Sequence, residues 1–311
     1  MPDYECYGLL VRSEIPLPEL VETSESLRAA VHVTVVSGNL GGGPGPDLDE
    51  LTAGRLWRGS SAMRLRVEGV ATYEVRDGAR IVVDAAPGAH AGELRLFLLG
   101  TCLGALLQQR GLLVLHGNSF RVGDACAVVV GHSGAGKSTL AAEFVQRGYD
   151  LLADDVVPID DELRALPGFP KIKLWQDAAD RLGIDVTTLT RVRPQSAKFH
   201  VPVDRAALAP LPVRWVYALA DADRPDVHLA PSAGVDRVGL LWQHSYRPRL
   251  LQGFASRAVH LDRCHRLQAK IRLVRVERSR DSITPAAAAS AILADIDAHS
   301  HPTTPQSQEA R

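Results

Sequence analysis

One stretch of the sequence restricts the possible folds more than any other. Residues 128–139 read Val-Val-Val-Gly-His-Ser-Gly-Ala-Gly-Lys-Ser-Thr, which is an apolar strand, a glycine-rich loop and the start of a helix. Glycine, four residues, glycine, lysine and serine is the spacing of a phosphate-binding loop. Small residues let consecutive backbone N–H groups converge on phosphate oxygens, and the following helix presents its positive end to the same anion. The pattern predicts a nucleotide site in an α/β fold; a glycine-rich turn with a surface lysine is the alternative.

The loop residues have distinct predicted roles. Lys137 would reach the outer phosphates, and the hydroxyl of Ser138 would hold Mg²⁺. The implied cofactors are Mg²⁺ and ATP, although the pattern does not distinguish ATP from GTP. The predicted nucleotide-binding residues are Gly131, Ser133, Gly134, Ala135, Gly136, Lys137, Ser138 and Thr139.

An acidic pair, Asp154-Asp155, follows shortly after the loop, within an apolar segment at 149–157 that reads as a buried strand. In phosphate-loop enzymes an acid on a neighbouring strand completes the magnesium shell, and a carboxylate can also orient or deprotonate the attacking hydroxyl. Adjacent residues of a strand point to opposite faces, so the two acids could share one task only if the chain bends. A turn or a helix cap is the other interpretation of the pair.

Two further side chains are candidates for the same site. His116 interrupts an apolar strand next to the loop, so it is either a core histidine or a contact of the transferred group. Lys198 lies in a polar loop at 191–200 and either meets substrate phosphate or is an ordinary exposed lysine. The alternating segment Lys171-Ile-Lys173 favours a strand with a solvated basic face, and contact of these lysines with phosphate is the alternative.

Local patterns predict three regions. Residues 1–88 form a β-rich module with a hairpin turn at 76–78, which is either a structural cap or a recruitment surface. Residues 89–298 form the phosphate-loop domain, and residues 299–311 are expected to be disordered. Within the domain we expect a helix at 92–109, a β-ribbon from strands 112–120 and 125–130, paired strands at 213–220 and 227–231, helices at 236–245 and 249–268, a strand at 270–278 that exposes Arg272, and a final helix at 285–298.

Composition narrows the possible partners and location. The four cysteines include no Cys-x-x-Cys pair, which argues against a zinc site and a disulfide framework and suits a reducing cytoplasm. The apolar run at 94–107 is shorter than the roughly 20 residues of a membrane span, and the first residues do not resemble a leader. Acidic and basic segments coexist and the net charge is −1, so we expect neither nucleic acid nor membrane as a partner.

Three segments in fixed register resemble one known family. They are His116-Gly117, then Gly-His-Ser-Gly-Ala-Gly-Lys-Ser at 131–138, and Arg-Gly-Tyr-Asp-Leu-Leu-Ala-Asp-Asp at 147–155. Their order and intervals look like those of the bacterial HPr kinase/phosphorylase catalytic domain and its shorter relatives. The resemblance is close over about 112–158 and loose from there to about 295. It implies a mixed α/β phosphate-loop core related to the phosphoenolpyruvate carboxykinases, here with a β-rich N-terminal module.

The resemblance also implies an activity. The chain would be a kinase that moves the γ-phosphoryl group of a nucleotide to a peptide or protein serine, with Lys137 on the phosphates. Asp154 would be the general base, His116 its neighbour and a phosphate contact, and Asp155 a magnesium ligand. No stretch after Asp155 looks like the family's long signature region, which makes a reverse phosphorylase reaction and HPr itself doubtful.

The identity of the acceptor is inferred by analogy with related kinases. Shorter relatives with an unrelated N-terminal β segment resemble the kinases that phosphorylate the C-terminal serine of lasso-peptide precursors, and we take this as the preferred acceptor. A small-molecule kinase would share every motif. A nucleotide-regulated binding protein would need the loop but neither His116 nor Asp154. The oligomeric state is open.

Overall fold

The computed structural model describes residues 1–23, 31–41, 43, 47–251, 257–280 and 282–300. The described residues up to 85 form one nine-stranded sheet. Its strands are β1 Asp3–Cys6, β2 Leu9–Ser13, β3 Val21–Glu22, β4 Val33–Ser37, β5 Asp49–Thr52, β6 Leu56–Arg58, β7 Ala62–Val67, β8 Ala71–Arg76 and β9 Arg80–Ala85. Their order across the sheet is β3-β1-β2-β4-β9-β8-β7-β6-β5. Asp77 and Gly78 join β8 to β9 with φ of 54° and 61°. The predicted hairpin turn is thereby confirmed, since two consecutive left-handed residues suit the twist of a tight hairpin.

One helical stretch leads from this sheet into the rest of the chain. It consists of α1 Ala91–Phe97, a π-helical turn Leu98–Cys102 and α2 Leu103–Gln109, so the predicted helix is confirmed with an irregularity that the sequence did not indicate. Among the described residues it alone is long and apolar enough to cross a membrane, yet 67% of its most apolar window is buried inside the protein. A Cβ at Gly104 would lie 2.5 Å from a ring carbon of Tyr246, so the ring packs directly on the helix backbone.

A second nine-stranded sheet carries the phosphate loop, and it is mixed. The ribbon of β11 Gly117–Val122 and β12 Ala125–Gly131 is confirmed, although the strand predicted at 112–120 breaks at His116. The other strands are β10 Leu113–Leu115, β13 Leu151–Asp154, β14 Val157–Ile159, β15 Arg164–Ala165, β18 Leu211–Asp221, β19 His228–Pro231 and β20 Arg272–Arg278; a separate hairpin consists of β16 Lys171–Trp175 and β17 Lys198–Pro202.

The predicted pairing of residues 213–220 with 227–231 is wrong. β20 lies between β18 and β19, parallel to the first and antiparallel to the second. Closeness in sequence favours a hairpin, but β20 contributes Leu273, Val274 and Val276 as fully buried side chains and therefore occupies the sheet interior. Burial of apolar area outweighs a short connection.

The remaining helices are α3 Lys137–Gln146, α4 Gln176–Arg181, α5 Asp236–Gln243, α6 Pro248–Leu251, α7 Arg257–Gln268 and α8 Pro285–His299. The helix expected at 249–268 is divided into α6 and α7, and residues 252–256 between them lie outside the described residues. α8 confirms the predicted final helix. Its partner Arg272 is not an exposed side chain as predicted, because its guanidinium bonds both carboxylate oxygens of Asp295 at 2.8 and 2.6 Å. The tail predicted to be disordered, except for its first two residues, lies outside the described residues.

One cluster of buried hydrophobic residues extends across the boundary proposed at residue 88. It joins Tyr73 of the first sheet, Leu106 of the helix and Val128 beside the phosphate loop. The phenol of Tyr7, from the first sheet, donates to the carbonyl oxygen of Val156 at 3.3 Å. The N-terminal sheet therefore packs directly against the segment that follows the acidic pair.

Candidate active site

The strand β11 brings the predicted site residues together. It is antiparallel to β12 on one side and to β13 on the other, so its start lies beside the ends of both neighbours. Gly117 pairs with Val130 just before the loop, and Asn118 pairs with Asp154. A Cβ at Gly117 would lie 2.3 Å from the carbonyl oxygen of Val129, so only glycine fits there. His116, the phosphate loop and the acidic pair thereby meet at one edge of the sheet.

The loop between β12 and α3 has the conformation that an anion cradle requires. Gly134 and Gly136 adopt φ of 82° and 87°, in the left-handed region that favours glycine. A Cβ at Gly136 would lie 2.9 Å from a guanidinium nitrogen of Arg278. Of the eight predicted loop residues, Ser133, Gly134, Gly136, Lys137, Ser138 and Thr139 line one cleft, whereas Ala135 turns its carbonyl to Arg278 and Gly131 ends the strand.

Lys137 is buried within its own loop. Its ammonium donates to the carbonyl oxygens of Gly131 at 2.8 Å and His132 at 2.9 Å. Burial lowers the pKa of Lys137, and the nearby carboxylates of Asp155 and Asp154 oppose that shift. Since an ammonium has three N–H donors, one is left for a phosphate oxygen.

The acidic pair occupies a bend, and the bend lets both acids face the cleft. β13 ends at Asp154, and Asp155 takes a left-handed φ of 72°, which breaks the strand alternation. One carboxylate oxygen of Asp154 accepts from the backbone N–H of Lys173 at 3.1 Å. A carboxylate oxygen of Asp155 accepts from the Lys173 ammonium at 3.0 Å. One lysine on β16 thus holds both acids.

The two carboxylates differ in proton affinity. Burial, together with the charge of Asp155, raises the pKa of Asp154 to about 6. Burial alone would also raise the pKa of Asp155, but the Lys173 ammonium and His116 outweigh it and hold this pKa below its usual range. Neighbouring carboxylates with separated pKa values are suited to different tasks, one permanently charged and one able to take up a proton.

His116 lies against the acidic pair as a neutral ring. Its Nδ1 is 3.0 Å from the carbonyl oxygen of Asp155 and 3.4 Å from a carboxylate oxygen of the same residue. Burial and the Lys137 charge lower the pKa of His116. A carbonyl can only accept, so Nδ1 donates and Nε2 of the neutral ring carries the lone pair.

The cleft that these residues line has a volume of about 380 Å³. Its walls include His116, Lys137, Asp154, Asp155 and Lys198, so every predicted catalytic residue faces one space. Lys198 begins β17, and its ammonium lies 5.6 Å from the centre of the Trp175 ring. Burial lowers the pKa of Lys198.

Sequence reasoning missed three cations in this site. Lys173 was predicted on a solvated strand face, yet its side chain is only 11% exposed because it pairs with Asp155. Arg278 donates to the carbonyl oxygen of Ala135 at 2.9 Å, and a guanidinium nitrogen of Arg280 lies 3.4 Å from where a Gly134 Cβ would be. The sequence shows that segment 247–280 is basic. This segment is more than 100 residues from the phosphate loop along the chain, so no local pattern indicates that the end of the segment contacts the loop.

Replacing Lys173 with methionine is expected to lower the free energy of unfolding by about 1–3 kcal/mol, because it removes a charged partner from the carboxylate of Asp155. The loss should fall short of that at a fully buried pair, since the Asp155 side chain is 31% exposed. Chemical denaturation measures it. Lys171→Met, two residues earlier on the same strand, is the control; equal unfolding midpoints for the two variants would contradict the assignment.

The fold and the site together define a phosphate-loop protein with a mixed α/β core. Residues 111–173 match the HPr Serine kinase C-terminal domain, and this HPr-kinase-like segment contains His116, the loop and the acidic pair.

Known proteins are similar to part of this chain. The chain is 43% identical over 77 residues to an HPr kinase/phosphorylase of Clostridium beijerinckii, covering 24% of this chain and 26% of that protein. It is 46% identical over 46 residues to an HPr kinase/phosphorylase of Neisseria meningitidis serogroup C, covering 15% and 14%. The chain therefore spans about a quarter or less of the length of these relatives. The solved structure of the Hpr(Ser) kinase/phosphatase from Coxiella burnetii matches with a TM-score of 0.32 and 11% identity, over 60% of this chain and 99% of that one.

Proposed function

We propose that the protein is a serine kinase that transfers the γ-phosphoryl group of ATP to a peptide or protein hydroxyl. The observation that carries this proposal is the shared cleft: His116, Lys137, a permanently charged Asp155 and a proton-accepting Asp154 all line it. A protein that only binds nucleotide needs the loop but has no use for a buried carboxylate with a raised pKa. The loop pattern does not distinguish ATP from GTP.

The loop residues and the acids fit a magnesium-bound nucleotide. Backbone N–H groups of residues 133–137 would hold phosphate oxygens, and Arg278 keeps the loop in shape through Ala135. The hydroxyl of Ser138 and the carboxylate of Asp155 would hold Mg²⁺, which commonly takes one or two protein oxygens plus phosphate and water. Among the described residues no group of three or more His, Cys, Asp or Glu side chains is placed to hold a metal ion. When bound, Mg²⁺ would neutralise charge on the phosphates.

The transfer step uses the acid with the raised pKa. Asp154 would accept the proton of the serine hydroxyl as its oxygen forms a bond to the γ-phosphorus, and the bond to the bridging oxygen breaks to release the nucleoside diphosphate. His116 would contact the transferred group with the ring nitrogen that does not bond Asp155. Lys198 would supply a further positive charge near the phosphates. Most of the acceleration would come from positioning and charge compensation.

For the acceptor we propose the C-terminal serine of a lasso-peptide precursor, in a cytoplasmic setting. The matching relatives are HPr kinase/phosphorylases, which supports a protein or peptide hydroxyl over a metabolite. A small-molecule kinase is the second candidate, because every residue of the cleft would serve it equally.

An acceptor screen tests the proposal. The protein is incubated with Mg²⁺ and γ-labelled ATP or GTP in the presence of peptides ending in serine, peptides with internal serine, or free hydroxy metabolites, and mass spectrometry locates the phosphate. Transfer to a peptide serine is the expected result. Nucleotide binding without transfer to any acceptor would leave only a nucleotide-binding protein.

The transfer rate is expected to fall as the pH drops through about 6. Burial and the charge of Asp155 raise the pKa of Asp154 to about 6, so below this pH the acid is protonated and no longer accepts the hydroxyl proton. Burial and the Lys137 charge lower the pKa of His116, which keeps its ring neutral at the upper end of this range. The check is kcat against pH with saturating nucleotide and acceptor. A kcat that is flat from about pH 5 to 7 would argue against Asp154 as the base.

A further inference from the structure

A second cleft adjoins the first on the far side of His116. Its volume is about 400 Å³, and it shares His116, Ser133 and Asp155 with the nucleotide cleft. In phosphoryl transfer the attacking and leaving oxygens lie roughly in line on opposite sides of the phosphorus. With the nucleotide in the first cleft, an acceptor in the second cleft would lie next to the shared residues His116, Ser133 and Asp155.

Backbone hydrogen bonds hold the wall of the second cleft against β10 and His116. The backbone N–H of His116 donates to the carbonyl oxygen of His244 at 2.8 Å, and that of Tyr246 donates to the carbonyl oxygen of Val114 at 2.8 Å. The side-chain amide of Gln108 bonds the carbonyl oxygen of Tyr246, whose ring fills the space left by Gly104. The segment 244–246 therefore behaves as an added edge of the sheet.

Arg247 follows directly and is forced into an unusual conformation. Its φ is 44°, in the left-handed region that a non-glycine residue occupies only at a cost of about 1 kcal/mol or more. Such strain persists where the surroundings fix it, and it is concentrated at functional positions. Here the anchored segment 244–246 fixes the backbone of Arg247. The Arg247 guanidinium lies 5.7 Å from the centre of the Tyr246 ring.

The charges of the second cleft favour an anion. Arg247 lines this cleft and not the nucleotide cleft, and it forms no ion pair with a carboxylate of the described residues. Burial lowers the pKa of His244 to about 4, so its ring is neutral. Asp155 is the one carboxylate among the described lining residues, and it is already bonded to Lys173. The cleft thus offers one permanent cation, neutral hydrogen-bonding groups and a single carboxylate that already has Lys173 as its charged partner.

We propose that the second cleft is the acceptor site and that Arg247 binds a carboxylate of the acceptor near the hydroxyl that is phosphorylated. This inference rests on the proposed kinase function. A guanidinium fork matches a carboxylate through two parallel hydrogen bonds, which fixes orientation as well as affinity. A hydroxyl and a carboxylate close together occur in a peptide that ends in serine and in a free hydroxy acid. A serine in the middle of a chain lacks the carboxylate and would be a poor acceptor.

The test uses acceptor pairs that differ only in the carboxylate. One pair is a peptide ending in serine and the same peptide as its C-terminal carboxamide; the other is free serine and serinamide. In the wild-type protein the amide is expected to raise KM by about 10- to 100-fold with little change in kcat. Arg247→Gln should raise KM for the carboxylate acceptor by a similar factor and leave the amide unaffected. Arg249→Gln, an exposed arginine on α6 that lines neither cleft, is the control and should change neither acceptor.

Each outcome separates the inference from the kinase function. Equal losses for carboxylate and amide acceptors in Arg247→Gln, or equal KM values in the wild type, would overturn the carboxylate site while the kinase function stands. If no acceptor is phosphorylated, the kinase function fails, and binding of the fluorescently labelled peptide pair and of free serine to the ADP-loaded protein decides the inference. Carboxylate-dependent binding that Arg247→Gln abolishes would support the carboxylate site. If neither the peptide nor free serine shows carboxylate-dependent binding, the carboxylate site is overturned. Whether the protein phosphorylates the peptide ending in serine or free serine identifies the source of the carboxylate.

Discussion

Asp154→Asn is expected to lower phosphoryl transfer by about a thousandfold while nucleotide binding persists. A positioned general base contributes about 10²- to 10⁴-fold, and an amide cannot accept the hydroxyl proton. The side chain keeps its shape, and its amide oxygen can still accept from the backbone N–H of Lys173, as the carboxylate does at 3.1 Å. Single-turnover transfer and nucleotide titration measure the two properties separately.

The same substitution should leave the fold intact and make it more stable. Because the Asp154 pKa rises from 3.8 to about 6 on folding, ionising this acid costs stability, increasingly as the pH rises from about 4 through 6. Asparagine removes that cost, so at pH 8 the free energy of unfolding should rise by up to about 3 kcal/mol, and the gain should vanish below about pH 4. Asp150→Asn, just before the start of β13, is the control for transfer. Normal transfer by Asp154→Asn would show that the base assignment is wrong.

Lys137→Ala is expected to abolish transfer, with a loss of about a thousandfold or more and much weaker nucleotide binding. The ammonium is the buried cation of the loop, and removing it leaves the β- and γ-phosphate charges uncompensated. It also leaves the carbonyl oxygens of Gly131 and His132 without the donor that they now share. Calorimetric titration with Mg-nucleotide and the transfer assay give the two effects.

Lys270→Ala provides the matched control, because this exposed lysine lies in the turn after α7 and lines neither cleft. It should bind nucleotide and transfer phosphate as the wild type does. If Lys137→Ala binds nucleotide with unchanged affinity, the loop does not hold phosphate and the proposed orientation of the nucleotide is wrong.

Much of the site was predictable because its signals are local. Gly134 and Gly136 must be glycine for the loop to turn, and the 78th residue must tolerate a positive φ for β8 and β9 to pair closely. The strands before and after the loop show their apolar periodicity directly in the sequence. The bend at Asp155 was stated only as a condition for the acids to cooperate, and the structure supplies it.

The missed features all depend on distant parts of the chain. From the sequence, Lys173 is predicted to be a solvated strand residue, and only the packing of β16 brings it to Asp155. The sequence likewise does not indicate the neighbours of β20, which lies between β18 and β19. Arg247 has no motif at all. Its candidate role arises from the backbone bonds that place residues 244–246 beside His116.

The sequence by itself determined the phosphate loop, the acidic pair and the order of most elements, because turn chemistry and hydrophobic period act between residues that are neighbours along the chain. Only the tertiary structure decided that β13 pairs antiparallel with the other edge of β11, which places the acids beside His116 and the loop. The tertiary structure also decided the unequal pKa values of Asp154 and Asp155. Proton affinity depends on burial and on charges a few ångströms away, and those distances exist only after the chain has folded.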